Sequence, residues 1–319
     1  MPWTAVFRSR SIWVAVALWV LFSAAGLILA SDDARARFSV EWSWGALLVL
    51  LIEIAIVFFL TRRRPLPDLG ARSPAPSVAL AEIIGLWTYC GIVMAAGRVI
   101  GLHYFGEGIA MHLNGSLIGP TRAQSPAEVI TWAVYNGILL ALVPYLTFRA
   151  RGYSNWALNL RSENLKNDVL VIVVILGIST GLDLAGPNIF QLSLHQQLVG
   201  GSLSFVLHLF GTGLPVMIFI YAILVPRYAK LCSPVTAFLL GAVSYPTMHI
   251  FESWARYDTL SHGLLSLIVV YLTFLPPGLM KSFLTIRTGN AWVHLWAFHA
   301  ISPHVTVDTR LIVRDFKIR

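Results

Sequence analysis

The sequence predicts an all-α fold, a polytopic transmembrane helical bundle of eight or nine helices. Three observations predict it. Of 319 residues, 57% are hydrophobic and 12% charged, with a mean hydropathy of +0.72, more apolar surface than a soluble fold of this size can hide. Apolar runs long enough to cross about 30 Å of hydrocarbon recur along the whole chain. The basic residues behind the formal charge of +8 gather in short clusters between those runs, as membrane topology demands and a nucleic-acid surface does not.

The runs fall at 11–30, 42–60, 77–101, 128–148, 169–185, 203–225, 234–252, 263–286 and 291–308. The first follows Arg8 and Arg10 as an export signal would, but another spanning run follows almost at once, so it is read as a retained helix. The second carries Glu53, whose carboxyl needs a partner on a neighbouring helix, because a charge at the bilayer centre costs about 3 kcal/mol on insertion scales. RRRPLPDLGARSPAPS (62–77) is broken by prolines and reads as a solvated cytoplasmic loop. It closes a first unit, 1–76, of a helical pair plus linker.

The next two runs form a second unit, 77–148. Glu82 and Arg98 stand near opposite ends of the first of them, so each must find its partner elsewhere, and His103 and His112 fall in the connection that follows, read as an external loop. RARGYSNWALNLRSENLKND (149–168) sets Trp156, Leu158 and Leu160 among charges, the pattern of a segment lying along the interface, and it opens a third unit, 149–319. Asp183 ends the next run ahead of Gly186 and Pro187. His208 lies in an apolar run, where a packed, hydrogen-bonded imidazole is expected.

A cytoplasmic N-terminus puts Arg62–Arg64, Arg72, Arg149, Arg151, Arg161, Lys166, Arg227, Lys230, Lys281 and Arg287 on one side, as the positive-inside rule favours. The basic tail RLIVRDFKIR opposes this if the number of spans is odd. Cys90 and Cys232 have no metal or redox spacing. The absence of HExxH, GxSxG and a P-loop leaves zincin, serine-hydrolase and NTPase readings without support.

Two clusters carry the chemistry. In YPTMHIFESW (245–254), His249 and Glu252 are three residues apart and share a helix face, able to hold a metal or pass a proton. The alternative is an interfacial helix end, with Tyr245, Phe251 and Trp254 in an aromatic belt and the polar pair meeting water. In RTGNAWVHLWAFHAISPHVTVD (287–308), Pro303 removes a backbone donor and clashes with the carbonyl of His299. The resulting kink brings His299 towards His304, and His304 and Asp308 share a face; the alternative is a kinked packing helix with interfacial Trp292 and Trp296.

YPTMH (245–249) and TGNAWVHLWAFHAIS (288–302) resemble the second and third motifs of the CPBP intramembrane proteases, the family of type II CAAX prenyl endopeptidases and bacteriocin-processing proteins. GYSNWALNLRSENLKNDVL (152–170) and IYAILVPRY (220–228) resemble segments of the same core, so the likeness covers about residues 150–305. The resemblance implies a His249 and His299 pair. Aligned on Pro226 and Arg227, however, the family's glutamate pair falls on Val216 and Met217 and its arginine on Tyr221, while the third motif's Asn/Asp position is Pro303.

Two readings follow. In one, an intramembrane endopeptidase has rebuilt its site, with His249, Glu252 and His299 catalytic and His249, Glu252, His299 and His304 holding Zn2+ or another divalent metal, Asp308 nearby. Its substrate is a lipidated or membrane-embedded peptide. In the other, the fold is kept without activity, serving immunity, scaffolding or peptide or lipid binding. Either way we expect an integral protein of a bacterial cytoplasmic membrane, N-terminus inside, in contact with membrane lipids and not with nucleic acid.

Overall fold

Hydrocarbon offers a backbone no hydrogen-bond partner but itself, so apolar stretches of membrane length become helices. A computed structural model of the chain describes residues 8–31, 33–113 and 125–319, and no strand occurs among them. In chain order the helices are α1 (Arg10–Leu29), α2 (Ala34–Thr61), α3 (Pro76–Phe105), α4 (Pro126–Ala150), α5 (Leu165–Asp183), α6 (Leu194–Leu231), α7 (Pro234–Thr247), α8 (Leu260–Thr288), α9 (Ala291–His294) and α10 (Thr309–Asp315). Seven of them, α1 to α6 and α8, are long and apolar enough to cross a membrane. The protein is therefore a helical membrane protein.

The expected runs 234–252 and 291–308 do not become straight spans. α7 has only 14 residues. α9 passes into π-helical turns at Leu295–His299 and Ser302–Val307, interrupted at Ala300 and Ile301. Local side-chain caps set several boundaries: Ser125 accepts from Glu128 N, Ser193 and Gln196 form a capping box, Thr259 accepts from His262 N, and Gly289 in the left-handed region (φ 65°) stops α8.

α6 is the central post. Of its most apolar stretch 83% is buried, against 17–39% for α1 to α5, whose outer faces meet lipid. At about 57 Å for 38 residues it exceeds the bilayer core, and π-helical turns at Leu209–Gly213 and Met217–Leu224 interrupt it. α7 and α8 approach closely because a Cβ at Gly278 would lie 2.4 Å from the Ala242 carbonyl oxygen, and one at Gly241 2.5 Å from Ser282 Oγ. α1 and α2 dock on α8 through Trp19, Val40, Ile268 and Leu272.

The linker after α2 is a clasp rather than a solvated loop, with Arg64, Leu69 and Arg72 all buried. Arg64 donates to Asp168 Oδ1 and to the Thr288 carbonyl. Arg72 Nη1 donates to the Gly289 carbonyl and to Asn159 Oδ1, both at 2.6 Å. The last carbonyls of a helix have no partner within it, and at the end of α8 a guanidinium's fan of donors answers them. Asp168 also accepts from Ser162 Oγ (2.6 Å) and Asn290 Nδ2 (2.9 Å), which ties α2, α5 and α8 together. Other polar groups find helix partners as expected: Ser179 donates to Glu53 (3.1 Å), and Glu82 accepts from Arg227 (2.6 Å).

Replacing Asp168 with alanine leaves the Arg64 guanidinium buried and unpaired, and is expected to cost about 3–5 kcal/mol. The unfolding midpoint of detergent-solubilised protein reads this out. The double change Asp168→Leu with Arg64→Met should recover much of the loss; equal midpoints for wild type and Asp168→Ala would show that the clasp carries no stability.

Candidate metal centre

α7 ends at Thr247, and the chain continues in tight turns in which His249 N donates to Pro246 O (2.9 Å), Glu252 N to His249 O (3.1 Å) and Ala255 N to Glu252 O (2.9 Å). Residues three apart eclipse in such turns, so His249 Nδ1 and Glu252 Oε1 meet at 2.6 Å. The reason is the turn, not a helix face. The pair does not meet water: His249 is 0% and Glu252 2% exposed. Phe274 of α8 stacks on the His249 ring at 3.9 Å, and Tyr245 lies edge-on at 4.6 Å.

The C-terminal run bends as Pro303 requires. Ala300 N reaches back five residues to Leu295 O, Asp308 N reaches back to Pro303 O, and the break between brings the His299 and His304 rings to 5.3 Å. Asp308 Oδ2 accepts from His304 Nδ1 at 2.8 Å.

A third contributor comes from the segment after α3. Gly106 (φ 74°) ends that helix in the left-handed region, and the chain folds back along α3 where Gly101 leaves room for its backbone, while Gly97 makes room for the Tyr135 ring of α4. A Cβ at Gly101 would lie 2.4 Å from Ile109 N and 2.5 Å from Glu107 O, and Ile109 N donates to Gly97 O. Asn136 Nδ2 donates to the Ala110 carbonyl. His112 thereby enters the bundle, its backbone N donating to Glu252 Oε1 (3.3 Å) and its Nε2 lying 3.0 Å from Tyr245 Oη. The remainder of the expected external loop, 114–124, lies outside the described residues. Burial pulls the His112 imidazole well below its ordinary pKa, reinforced by the nearby His249 and His304, so it is neutral and carries a lone pair.

These pieces converge. His112 lies ring to ring 4.7 Å from His249, 5.2 Å from His304 and 6.1 Å from His299. Ligand atoms of His112, His299 and His304 all lie within 4.8 Å of one another, as do those of His208, His304 and Asp308. His249 Nε2, His304 Nε2 and both ring nitrogens of His299 are buried without a hydrogen bond. Two carboxylates hold Nδ1–H of two rings, Glu252 that of His249 and Asp308 that of His304. With each carboxylate ionised, as it is beside a bound cation, this sets the tautomer that leaves Nε2 as a free lone pair, the arrangement that accompanies histidine ligands of metals. Buried, unpaired, lone-pair-bearing nitrogens fit a divalent cation of the zinc type.

Every residue expected from sequence lies in this cluster. His299 and His304 share ligand distance with His112, while His249 and Glu252 stand beside them as a hydrogen-bonded pair and belong to neither metal-spaced group among the described residues. His112 and His208, read from sequence as loop and packing residues, are members. So are His294, whose ring meets Tyr221 at 4.4 Å, and Lys281, whose Nζ sits 3.4 Å above the Tyr245 ring. Gly97-Arg-Val-Ile-Gly101 was the available signal for His112, since small residues four apart invite a close-packed backbone. No family model, curated protein or solved structure matches the chain.

Gly101→Val drives a branched side chain into the backbone of residues 107–109 and should expel the segment carrying His112. In a chain with Cys90 and Cys232 replaced by alanine, Ala110→Cys is expected to resist a maleimide and to label readily once Gly101→Val is added. Equal labelling would show that the close approach at Gly101 does not hold the segment.

Proposed function

We propose that the protein is an intramembrane hydrolase acting on lipidated or membrane-embedded peptides at a divalent cation, Zn2+ foremost, held by His112, His299 and His304. The observation that carries the reading is the convergence of ligand atoms from these three buried imidazoles, those of His299 and His304 keeping nitrogens with no partner and His112 Nε2 meeting Tyr245 Oη, in a setting where an unanswered polar atom costs several kcal/mol. When bound, such a cation polarises a carbonyl and lowers the pKa of its water to about 7. The chain's own residues do the rest. Asp308 keeps His304 turned inward. Glu252 holds His249 so that its free Nε2 faces the cluster, placed to take a proton from the attacking water and return it to the leaving amine. The peptide substrate and the bacterial setting rest on the resemblance to CPBP proteases, and a cytoplasmic N-terminus is supported by the arginine clusters between spans.

A second reading, a binding or scaffold protein without turnover, is favoured by one observation. The cavity beside His112, lined also by Phe105, Leu113, Trp132 and Ser253, measures about 10 Å3, room for about one water and not for a peptide.

Metal content and cleavage of membrane-embedded peptides in proteoliposomes test both readings. Purified protein is expected to carry metal, and a chelator to abolish cleavage. His299→Ala should lose activity together with the ion held by His112, His299 and His304. Asp308→Asn should weaken metal affinity about 10–100-fold, and His249→Ala should keep the metal while slowing cleavage about 10²–10⁴-fold. Cleavage unchanged by all three substitutions would remove the proposed site; metal binding with no cleavage of any peptide would favour the second reading.

A further inference from the structure

Beside this centre lies a polar group that the mechanism above leaves unused. His208, on α6, is 1% exposed, and Asp308, at the entry to α10, is 3% exposed. His208 Nδ1 lies 2.8 Å from the Ser204 carbonyl oxygen. A carbonyl only accepts, so Nδ1 carries the proton and Nε2 is a lone pair. That lone pair faces Asp308 Oδ2 at 3.5 Å and has no hydrogen bond. Asp308 Oδ2 already accepts from His304 Nδ1, and its Oδ1 is buried with no partner. One turn further along α6, Thr212 Oγ1 is likewise buried and unpartnered. Two acceptors therefore confront each other out of water, a repulsive arrangement until something positive lies between them.

The separation says what fits. A shared proton needs about 2.5–3.0 Å between heavy atoms, less than is observed. A tetrahedral cation with ligands at about 2.0–2.1 Å sets neighbouring donor atoms about 3.3 Å apart, which matches the 3.5 Å between His208 Nε2 and Asp308 Oδ2. The rings of His208 and His304 stack at 4.5 Å and 12°, so the second position is adjacent to the first.

We infer that His208 and Asp308 hold a second divalent cation of the nitrogen- and oxygen-binding class, so that the protein contains a two-metal centre with His304 and Asp308 lying between the two positions. The second position presupposes the reading of His112, His299 and His304 as the first. Asp308 then serves twice, orienting His304 and binding the neighbouring ion, and paired cations of this kind clamp attacking and leaving oxygens in hydrolytic enzymes.

The full-length protein, purified in detergent, is stripped, reloaded with Zn2+ and freed of loose metal, and zinc per chain is measured by mass spectrometry. About two equivalents are expected for wild type and about one each for His208→Ala, His208→Gln and His299→Ala, every variant being checked for an unchanged elution profile. One equivalent in wild type, unchanged by either His208 substitution, overturns the second site and leaves the first standing. One equivalent lost on His208→Ala but kept in His299→Ala establishes a cation at His208 and Asp308 and removes the proposed first site. No bound zinc overturns both. Wild type loaded with Cu2+ supplies a check that needs no variant: a half-field electron paramagnetic resonance signal from coupled ions is expected, and isolated-ion spectra at full loading contradict the inference.

Discussion

Inside a bilayer no water is at hand, so every polar atom must be answered by the protein or by something the protein binds. That constraint divides this molecule in two. At the arginine-rich end of the bundle most of the answers are charged side chains, with the Arg64 and Arg72 guanidinium groups meeting the carbonyls at the end of α8 and the side chains of Asp168, Asn159 and Glu163. In the histidine cluster several answers are missing, and His208, His249, His294, His299 and His304 all keep nitrogens with no partner. Elsewhere single atoms stay open, among them Arg227 Nη2 and Glu53 Oε2, on groups that already have one partner, whereas the histidine cluster gathers several such nitrogens at one place.

The cluster exists because three departures from the regular helix point the same way. α7 stops early and continues in turns that eclipse His249 with Glu252. The C-terminal run loosens into π-helical turns around Pro303, folding His304 back towards His299. Gly101 lets the segment after α3 lie against its own helix and carry His112 inward. π-helical turns and prolines are weak points in a helix, and they gather where functional groups must be aimed. α6 is also interrupted, by the π-helical turns at Met217–Leu224, and α8 carries Pro276 and Pro277 within its unbroken length.

Val216, Met217 and Tyr221 on α6 are fully buried, and Tyr221 packs on His294. The carboxylates of the cluster lie on the turns after α7, as Glu252, and at the entry to α10, as Asp308. Each is bound to a histidine three or four residues away, so each carboxylate arrives with its imidazole already oriented.

By itself the sequence determined the all-helical membrane fold, since apolar length and the clustering of basic residues are local properties that lipid reads directly. It also determined the pairing of His249 with Glu252 and of His304 with Asp308, and the bend at Pro303, because neighbours three or four residues apart meet whatever the rest of the chain does. It misjudged the linker at 62–77, whose prolines and arginines look solvated until the open carbonyls of α8 are set beside them. His112 and His208 were decided by tertiary structure alone. His112 lies 187 positions in sequence before His299 and His208 lies 100 before Asp308, and only the packing of the segment after α3 and of α6 against the C-terminal run brings such distant residues to ligand distance, through contacts that carry no local pattern.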